Sequence, residues 1–195
     1  MVRIIAGARK GRVLATPGGG ATRPTADRVR QALFDVLAHA PWGGAALLEG
    51  AHVLDAFAGT GALGLEAMSR GAAHAIFFET DRHALAALRT NVHACGWAEQ
   101  CQIYPRDVTS PPAARATPAS LLFLDPPYHK GLPATALAAL TAKGWLAPNA
   151  IAVIETGRDE PPPFAKENED PSPCPHDLLA ERQHGAARLS IWRLA

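Results

Sequence analysis

Val53-Leu54-Asp55-Ala56-Phe57-Ala58-Gly59-Thr60-Gly61-Ala62-Leu63-Gly64 reads as an apolar strand that runs into a glycine loop and then opens a helix. Glu79 stands twenty positions after Gly59, at the end of a second apolar run. Outward from this unit the chain keeps alternating. Strand His52–Phe57, helix Ala62–Arg70, strand His74–Glu79 and helix Arg82–Ala94 are followed by strands Cys101–Tyr104 and Leu121–Leu124, helix Leu132–Lys143 and strand Ala150–Ile154. Such alternation predicts an α/β domain whose parallel sheet is covered by helices on both faces. Segments Leu178–Gln183 and Arg188–Leu194 flank His184-Gly185 and read as a closing antiparallel hairpin.

Upstream, Ile4-Ile5-Ala6 and Val13-Leu14-Ala15 enclose Gly7-Ala8-Arg9-Lys10-Gly11, a hairpin with bases at its tip. Thr25 is a candidate N-cap for a helix carrying Val29, Leu33, Val36 and Leu37 at helical spacing and stopping before Pro41. The Pro-rich stretch from Pro161 to Pro175 reads as a loop.

The 195 residues hold 19 Lys+Arg against 18 Asp+Glu, with 48% hydrophobic and 19% charged residues, which bounds the chain to about one soluble domain and excludes a disordered tail. No run of about 18 apolar residues lacks a charge, so a membrane span is not expected. The start, MVRIIAGARKGR, is too weakly apolar for a secretory leader. Cys95, Cys101 and Cys174 match neither a zinc pair nor a CxxC, so they are expected as reduced thiols in a cytoplasmic protein. The near-neutral total conceals two poles. Residues 1–30 carry seven bases and one acid, and residues 155–181 carry eight acids and two bases. The basic pole suggests nucleic acid as a partner without deciding it.

The glycine loop formally satisfies a dinucleotide fingerprint, and Asp55 discriminates among its ligands. A carboxylate at this strand end would oppose a pyrophosphate, whereas S-adenosylmethionine carries an ammonium, a sulfonium and no phosphate. The expected cofactor contacts are therefore Asp55, Phe57, Ala58, Gly59, Thr60 and Gly61 in the loop, Glu79 for both ribose hydroxyls, Asp107 for the adenine amine, and the adjoining Thr80 and Val108. A plain helix cap or a buried ion pair is the alternative for Asp55.

Leu121–Leu124 ends in Asp125-Pro126-Pro127-Tyr128. Two prolines fix the backbone and remove two donors, leaving rigid carbonyl acceptors at a strand terminus. An exocyclic base amine is a poor nucleophile because its lone pair is conjugated with the ring. A carboxylate and a carbonyl that accept its N–H bonds draw the nitrogen toward tetrahedral geometry. Asp125 and the carbonyl of Pro126 are the candidates, Pro127 fixes the turn, and Tyr128 offers a face for an unstacked base. The eight histidines form no HExxH or HxH, so metal catalysis is not expected; the chain has no Gly-x-Ser-x-Gly and no phosphate-binding Lys-Ser/Thr.

Arg23-Pro24-Thr25-Ala26-Asp27-Arg28-Val29-Arg30-Gln31-Ala32-Leu33-Phe34, the run from Asp55 to Gly71 and the DPPY motif together resemble the RsmD family of bacterial small-subunit rRNA guanine-N2 methyltransferases. The resemblance spans residues 3 to about 155 and resumes at 182–193. It implies a class I Rossmann-like methyltransferase fold with a mostly parallel seven-stranded sheet, helices on both faces and an N-terminal β-hairpin extension. It also implies S-adenosylmethionine as donor, and a guanine of 16S rRNA, in the small ribosomal subunit or an assembly intermediate, as target of a monomeric enzyme. Gln31 stands where the resemblance leads one to expect glutamate, and Ser120 where an acid often precedes the DPPY strand. The expected division is residues 1–45 as an RNA-contacting extension, through Arg9, Lys10, Arg12, Arg23, Thr25, Arg28 and Arg30, and residues 46–195 as the methyltransferase domain. DPPY alone fixes only amine methylation, so a small DNA adenine-N6 methylase and a non-catalytic rRNA-binding assembly factor are the rival readings.

Overall fold

The structure, a computed structural model, describes residues 2–19, 24–161 and 177–195. Arg23, Cys174 and most of the Pro-rich stretch expected as a loop lie outside the described residues, and of Thr25 only the backbone is described. In chain order the elements are β1 (Val2–Arg3), β2 (Val13–Leu14), α1 (Pro24–His39), β3 (His52–Asp55), α2 (Ala62–Ser69), β4 (His74–Phe78), α3 (Arg82–Cys95), β5 (Cys101–Tyr104), β6 (Ala119–Leu124), α4 (Leu132–Ala142), β7 (Leu146–Gly157), β8 (Asp177–His184) and β9 (Ala187–Arg193).

Among the described residues seven strands form one sheet in the order β5-β4-β3-β6-β7-β9-β8, with β9 alone running against the other six. The order reverses between β3 and β6, and an open sheet of this kind binds ligands at that switch point, beyond the carboxyl ends of the strands. Alternation along each strand divides the core in two. Val53, Phe77, Leu121, Phe123 and Val153 face α1, α2 and α3, whose Phe34, Leu65 and Leu88 fill that side. Leu54, Ile76, Phe78, Leu122 and Ile154 face α4 and the buried Trp145. Trp145 meets Phe78 and Tyr104 edge-on and donates its indole N–H to the carbonyl of Pro112 at 2.8 Å.

The N-terminal hairpin departs from the expectation in detail. Its strands pair Val2 with Leu14 and Arg3 with Val13, because Ile5 and Ala6 give their backbone N–H groups to Glu66 of α2, at 2.7 and 3.0 Å, instead of continuing the ladder. Helix α1 begins at Pro24, so Thr25 lies in its first turn and is not the N-cap. Gln31 donates to Asp35 at 2.6 Å, one helical turn on. Val2, Ile4 and Leu14 belong to the same apolar cluster as the sheet, so hairpin and domain share one core.

Three buried polar side chains fasten that hairpin. Glu66, fully buried on α2, also accepts from Arg70 Nε at 2.7 Å, and the Arg70 guanidinium lies over the Phe34 ring. Ser69 accepts from the Arg9 N–H at 2.9 Å and donates to the carbonyl of Ala6 at 2.5 Å. Asn91 on α3 brackets Ala15, accepting from its N–H at 2.7 Å and donating to its carbonyl at 3.1 Å, and also donates to the carbonyl of Thr60 in the glycine loop. None of the three stood out in the sequence, because their partners lie 60 to 76 residues away.

Candidate active site

Beyond the carboxyl ends of the central strands lies a cleft of about 450 Å³, lined by Phe57, Glu79 and Thr80 on one side and Asp125, Pro126, Pro127 and Tyr128 on the other. Register explains the meeting. Asp55 pairs with Phe77 on one flank and Phe123 on the other, so two residues further on Phe57 comes beside Glu79 and Asp125. Leu124 pairs with Ile154, which puts Asp125 beside Glu155 of β7. One row across four strand ends thus reads Glu79, Phe57, Asp125, Glu155, and the DPPY motif acquires an acidic neighbour on the next strand.

In the glycine loop, each residue's task is set by what it touches. Gly59 N–H donates to Glu79 Oε2 at 2.7 Å, tying the loop to the end of β4. Glu79 Oε1 accepts from the N–H groups of Thr80 and Asp81, both at 2.7 Å, so this carboxylate already organises the turn it ends. A Cβ on Gly59 would meet nothing within 4 Å, so the loop is open there to a ligand. Gly61, expected among the cofactor contacts, also has a task inside the fold. It caps α2 in the left-handed region, and a Cβ there would lie 2.5 Å from Leu88, inside the core. Gly64 is required by packing, since a Cβ would stand 2.4 Å from the Phe77 ring.

Asp55 realises the cap alternative. Its carboxylate is 1% exposed and accepts from Gly64 N–H at 3.0 Å in the first turn of α2, and Asp55 is not part of the cleft lining. Burial pushes its carboxyl up to about 7, against the Gly64 hydrogen bond, with Asp125 and Glu79 adding repulsion. Asp107 is exposed and closes its own turn on the Thr109 N–H and hydroxyl, both at 2.8 Å, while the Val108 side chain belongs to the core on the α4 side. Ala58 is buried and Thr60 half-buried behind the loop.

Asp125 is reachable from solvent at the mouth of the cleft, yet its carboxyl is raised to about 7, first by the protein packed around it and then by the charge of Glu155. Open water on one side screens part of that repulsion. The Tyr128 hydroxyl donates to Glu155 Oε1. Burial and that bond together raise the phenol far above its ordinary range, so it remains a donor. Glu155 is the site residue that sequence reasoning missed, since it counts there only within an acidic stretch. A signal exists, because Asp125 and Glu155 end neighbouring parallel strands. Glu160 then joins the two loops, accepting from the N–H groups of Gly157 and of His129, the latter at 2.7 Å. Among the described residues no Lys or Arg pairs with Glu79, Asp125 or Glu155, and no cluster of His, Cys, Asp and Glu could hold a metal.

The basic pole divides into held and free charges. Arg30 is corrected outright. It is 7% exposed, and its guanidinium is engaged by Asp27 at 2.9 Å and the Arg3 carbonyl at 2.6 Å, so it presents no charge to a phosphate. Arg9 is half-buried, donating from Nε to the Cys95 carbonyl at 2.8 Å with its guanidinium over Trp97. Lys10, Arg12 and Arg28 have no ion pair among the described residues, and all three are exposed, Lys10 at the tip. Arg9, Lys10, Arg12 and His93 line a second concavity of about 450 Å³ between the hairpin tip and the end of α3.

The chain has relatives among known proteins. The sequence model of a family described as Conserved hypothetical protein 95 matches residues 2–172. The chain is 39% identical over 155 residues to Ribosomal RNA small subunit methyltransferase D of Escherichia coli strain K12, covering 80% of this chain and 74% of that protein. To the protein of the same name from Haemophilus influenzae it is 36% identical over 165 residues, covering 82% and 81%. The solved structure of Escherichia coli yhhF superposes with a TM-score of 0.78 at 32% identity, covering 99% of this chain and 97% of that one.

Proposed function

Because the chain belongs to the Conserved hypothetical protein 95 family and is a methyltransferase, we propose that it transfers a methyl group from S-adenosylmethionine to the exocyclic N2 amine of a guanine in 16S rRNA. The observation that carries this reading is the cleft in which the loop-side residues Phe57, Glu79 and Thr80 face the DPPY wall. A donor and an amine bound on its two sides would meet between them.

The residues fit the donor. The lining holds two carboxylates and no base, which disfavours a phosphate-bearing cofactor and suits one that carries positive charge. Its volume lies within the roughly 300–1,000 Å³ usual for cofactor sites. Glu79 would hold the ribose hydroxyls with the lone pairs its backbone partners leave, and Phe57 and Thr80 would flank the nucleoside. S-adenosylmethionine, when bound, supplies an electrophilic methyl on a sulfonium.

Everything else falls to the chain. Asp125 and the Pro126 carbonyl accept the two N–H bonds of the target amine and pull its lone pair out of conjugation with the ring. The prolines hold these acceptors still. As the nitrogen is alkylated it must release a proton, and the Asp125 carboxylate, with its elevated affinity for protons, is the acceptor already in contact. Tyr128, held by Glu155, supplies the face against which the splayed base rests.

The test is label transfer from tritiated S-adenosylmethionine to undermodified small subunits, naked rRNA and DNA, followed by nucleoside analysis. N2-methylguanosine in rRNA is the expected product. Label in N6-methyladenosine would replace the reading with adenine methylation, and tight RNA binding without any transfer would replace it with an assembly factor.

A further inference from the structure

The DPPY wall accounts for holding an amine, not for telling which base bears it. Guanine presents two adjacent donors where its amine lies, N1–H and N2–H, whereas adenine and 2-aminopurine present a ring nitrogen that is an acceptor beside the amine. A reader of guanine therefore needs two neighbouring acceptors.

We propose that Glu155 is the second of them, accepting from N1–H while Asp125 accepts from N2–H. This inference rests on the guanine reading above and assigns its specificity to one side chain. Four observations carry it. The strand register sets Glu155 beside Asp125 at the carboxyl end of the neighbouring parallel strand. Glu155 is partly exposed at that end, two residues before β7 finishes at Gly157. Its Oε1 is fixed by the Tyr128 hydroxyl, which also anchors the ring a base would lie on, and among the described residues nothing bonds its Oε2. No cation neutralises it among the described residues, so donors must come from a ligand or from water. Against an acceptor nitrogen the same carboxylate is repulsive, and that repulsion excludes the wrong base.

The experiment uses the full chain and small-subunit RNA whose target nucleotide is guanine or 2-aminopurine, which keeps the amine at the same ring carbon and makes N1 an acceptor. Single-turnover transfer and equilibrium RNA binding are measured for the wild type, Glu155→Gln and Tyr128→Phe, with melting temperature as a check on folding. Glutamine still accepts from Tyr128 but loses the charge and can turn an N–H toward the ring. The expectation is that Glu155→Gln slows transfer to guanine by roughly tenfold to a hundredfold while 2-aminopurine holds or gains, so the preference shrinks. Tyr128→Phe lowers both substrates and keeps the preference. A Glu155→Gln preference equal to wild type overturns the proposal, as does an equal collapse in Tyr128→Phe, which would mean that Glu155 acts only through the tyrosine. A wild type that yields no N2-methylguanosine overturns the underlying guanine reading instead, and is told apart by that control.

Discussion

The hairpin clamp and the DPPY cleft are both built from acidic and polar side chains at the edges of one core, and they differ in what is left over. At the clamp, Glu66, Ser69 and Asn91 are buried, and their donors and acceptors are matched within the chain: Glu66 alone serves Ile5, Ala6 and Arg70. At the cleft, Asp125 stands exposed in the lining, and Glu155, partly exposed at the end of the next strand, keeps one oxygen that nothing bonds; among the described residues no Lys or Arg pairs with either. Matched polar groups in a core hold structure, while unmatched acceptors converging on a cavity await a ligand. Glu79 belongs to both kinds, organising Gly59, Thr80 and Asp81 while it faces the cleft.

The comparison breaks most visibly at Glu66. Glu66→Ala strands two partly buried N–H groups and the Arg70 guanidinium, so unfolding in urea should show a loss on the order of 3–5 kcal/mol, the usual cost of removing one partner of a buried pair. Donor affinity of the molecules that remain folded should hold. A loss below about 1 kcal/mol would mean that the clamp is incidental to the fold.

Glu79→Ala sharpens the intermediate case. Calorimetry should show S-adenosylmethionine binding weakened by roughly 1.5–3 kcal/mol for each ribose hydrogen bond to the charged acceptor that the substitution removes. Unchanged affinity would confine Glu79 to its backbone partners.

The acidity of Asp125 gives the next effect. With its carboxyl raised to about 7, the accepting, ionised form disappears as pH falls through that value. The single-turnover rate should fall toward tenfold per unit below about pH 7 and level off above about pH 8. Asp125→Asn should flatten that limb on a much lower rate, whereas a limb that survives unchanged would belong to another group.

The alternating strands were legible because period and spacing are local properties, and β5 ends where the apolar run ends, at Tyr104. The register was legible in part, since parallel neighbours whose strands end together bring Asp55, Glu79 and Asp125 to one side of the sheet. What stayed hidden was pairing at a distance. Nothing near Arg30 announces that the Arg3 carbonyl will take its guanidinium, and for Asp55 the sequence left the cap on α2 only as an alternative because the path back to Gly64 is set by the fold. A basic segment therefore overstated its free charge.

The smallest effect follows from that correction. Among the described residues Lys10 and Arg12 are the bases at the hairpin tip that make no ion pair, while Arg9 is held on Cys95 and Trp97. Changing Lys10 and Arg12 to alanine should flatten the slope of log RNA affinity against log salt by ~0.7–0.9 for each phosphate no longer neutralised, with donor affinity unchanged. An unchanged slope would return the tip to ordinary surface.

The central claim is that Asp125 holds the target amine and not the donor. It is tested most directly by Asp125→Ala, with single-turnover methyl transfer and S-adenosylmethionine affinity measured on the same preparation. The account predicts transfer slower by roughly 10²-fold or more with donor affinity within about twofold of wild type, because the hydrogen bond removed is one that forms only to the reacting amine. Near wild-type transfer, or a loss of rate matched by an equal loss of donor affinity, would contradict it.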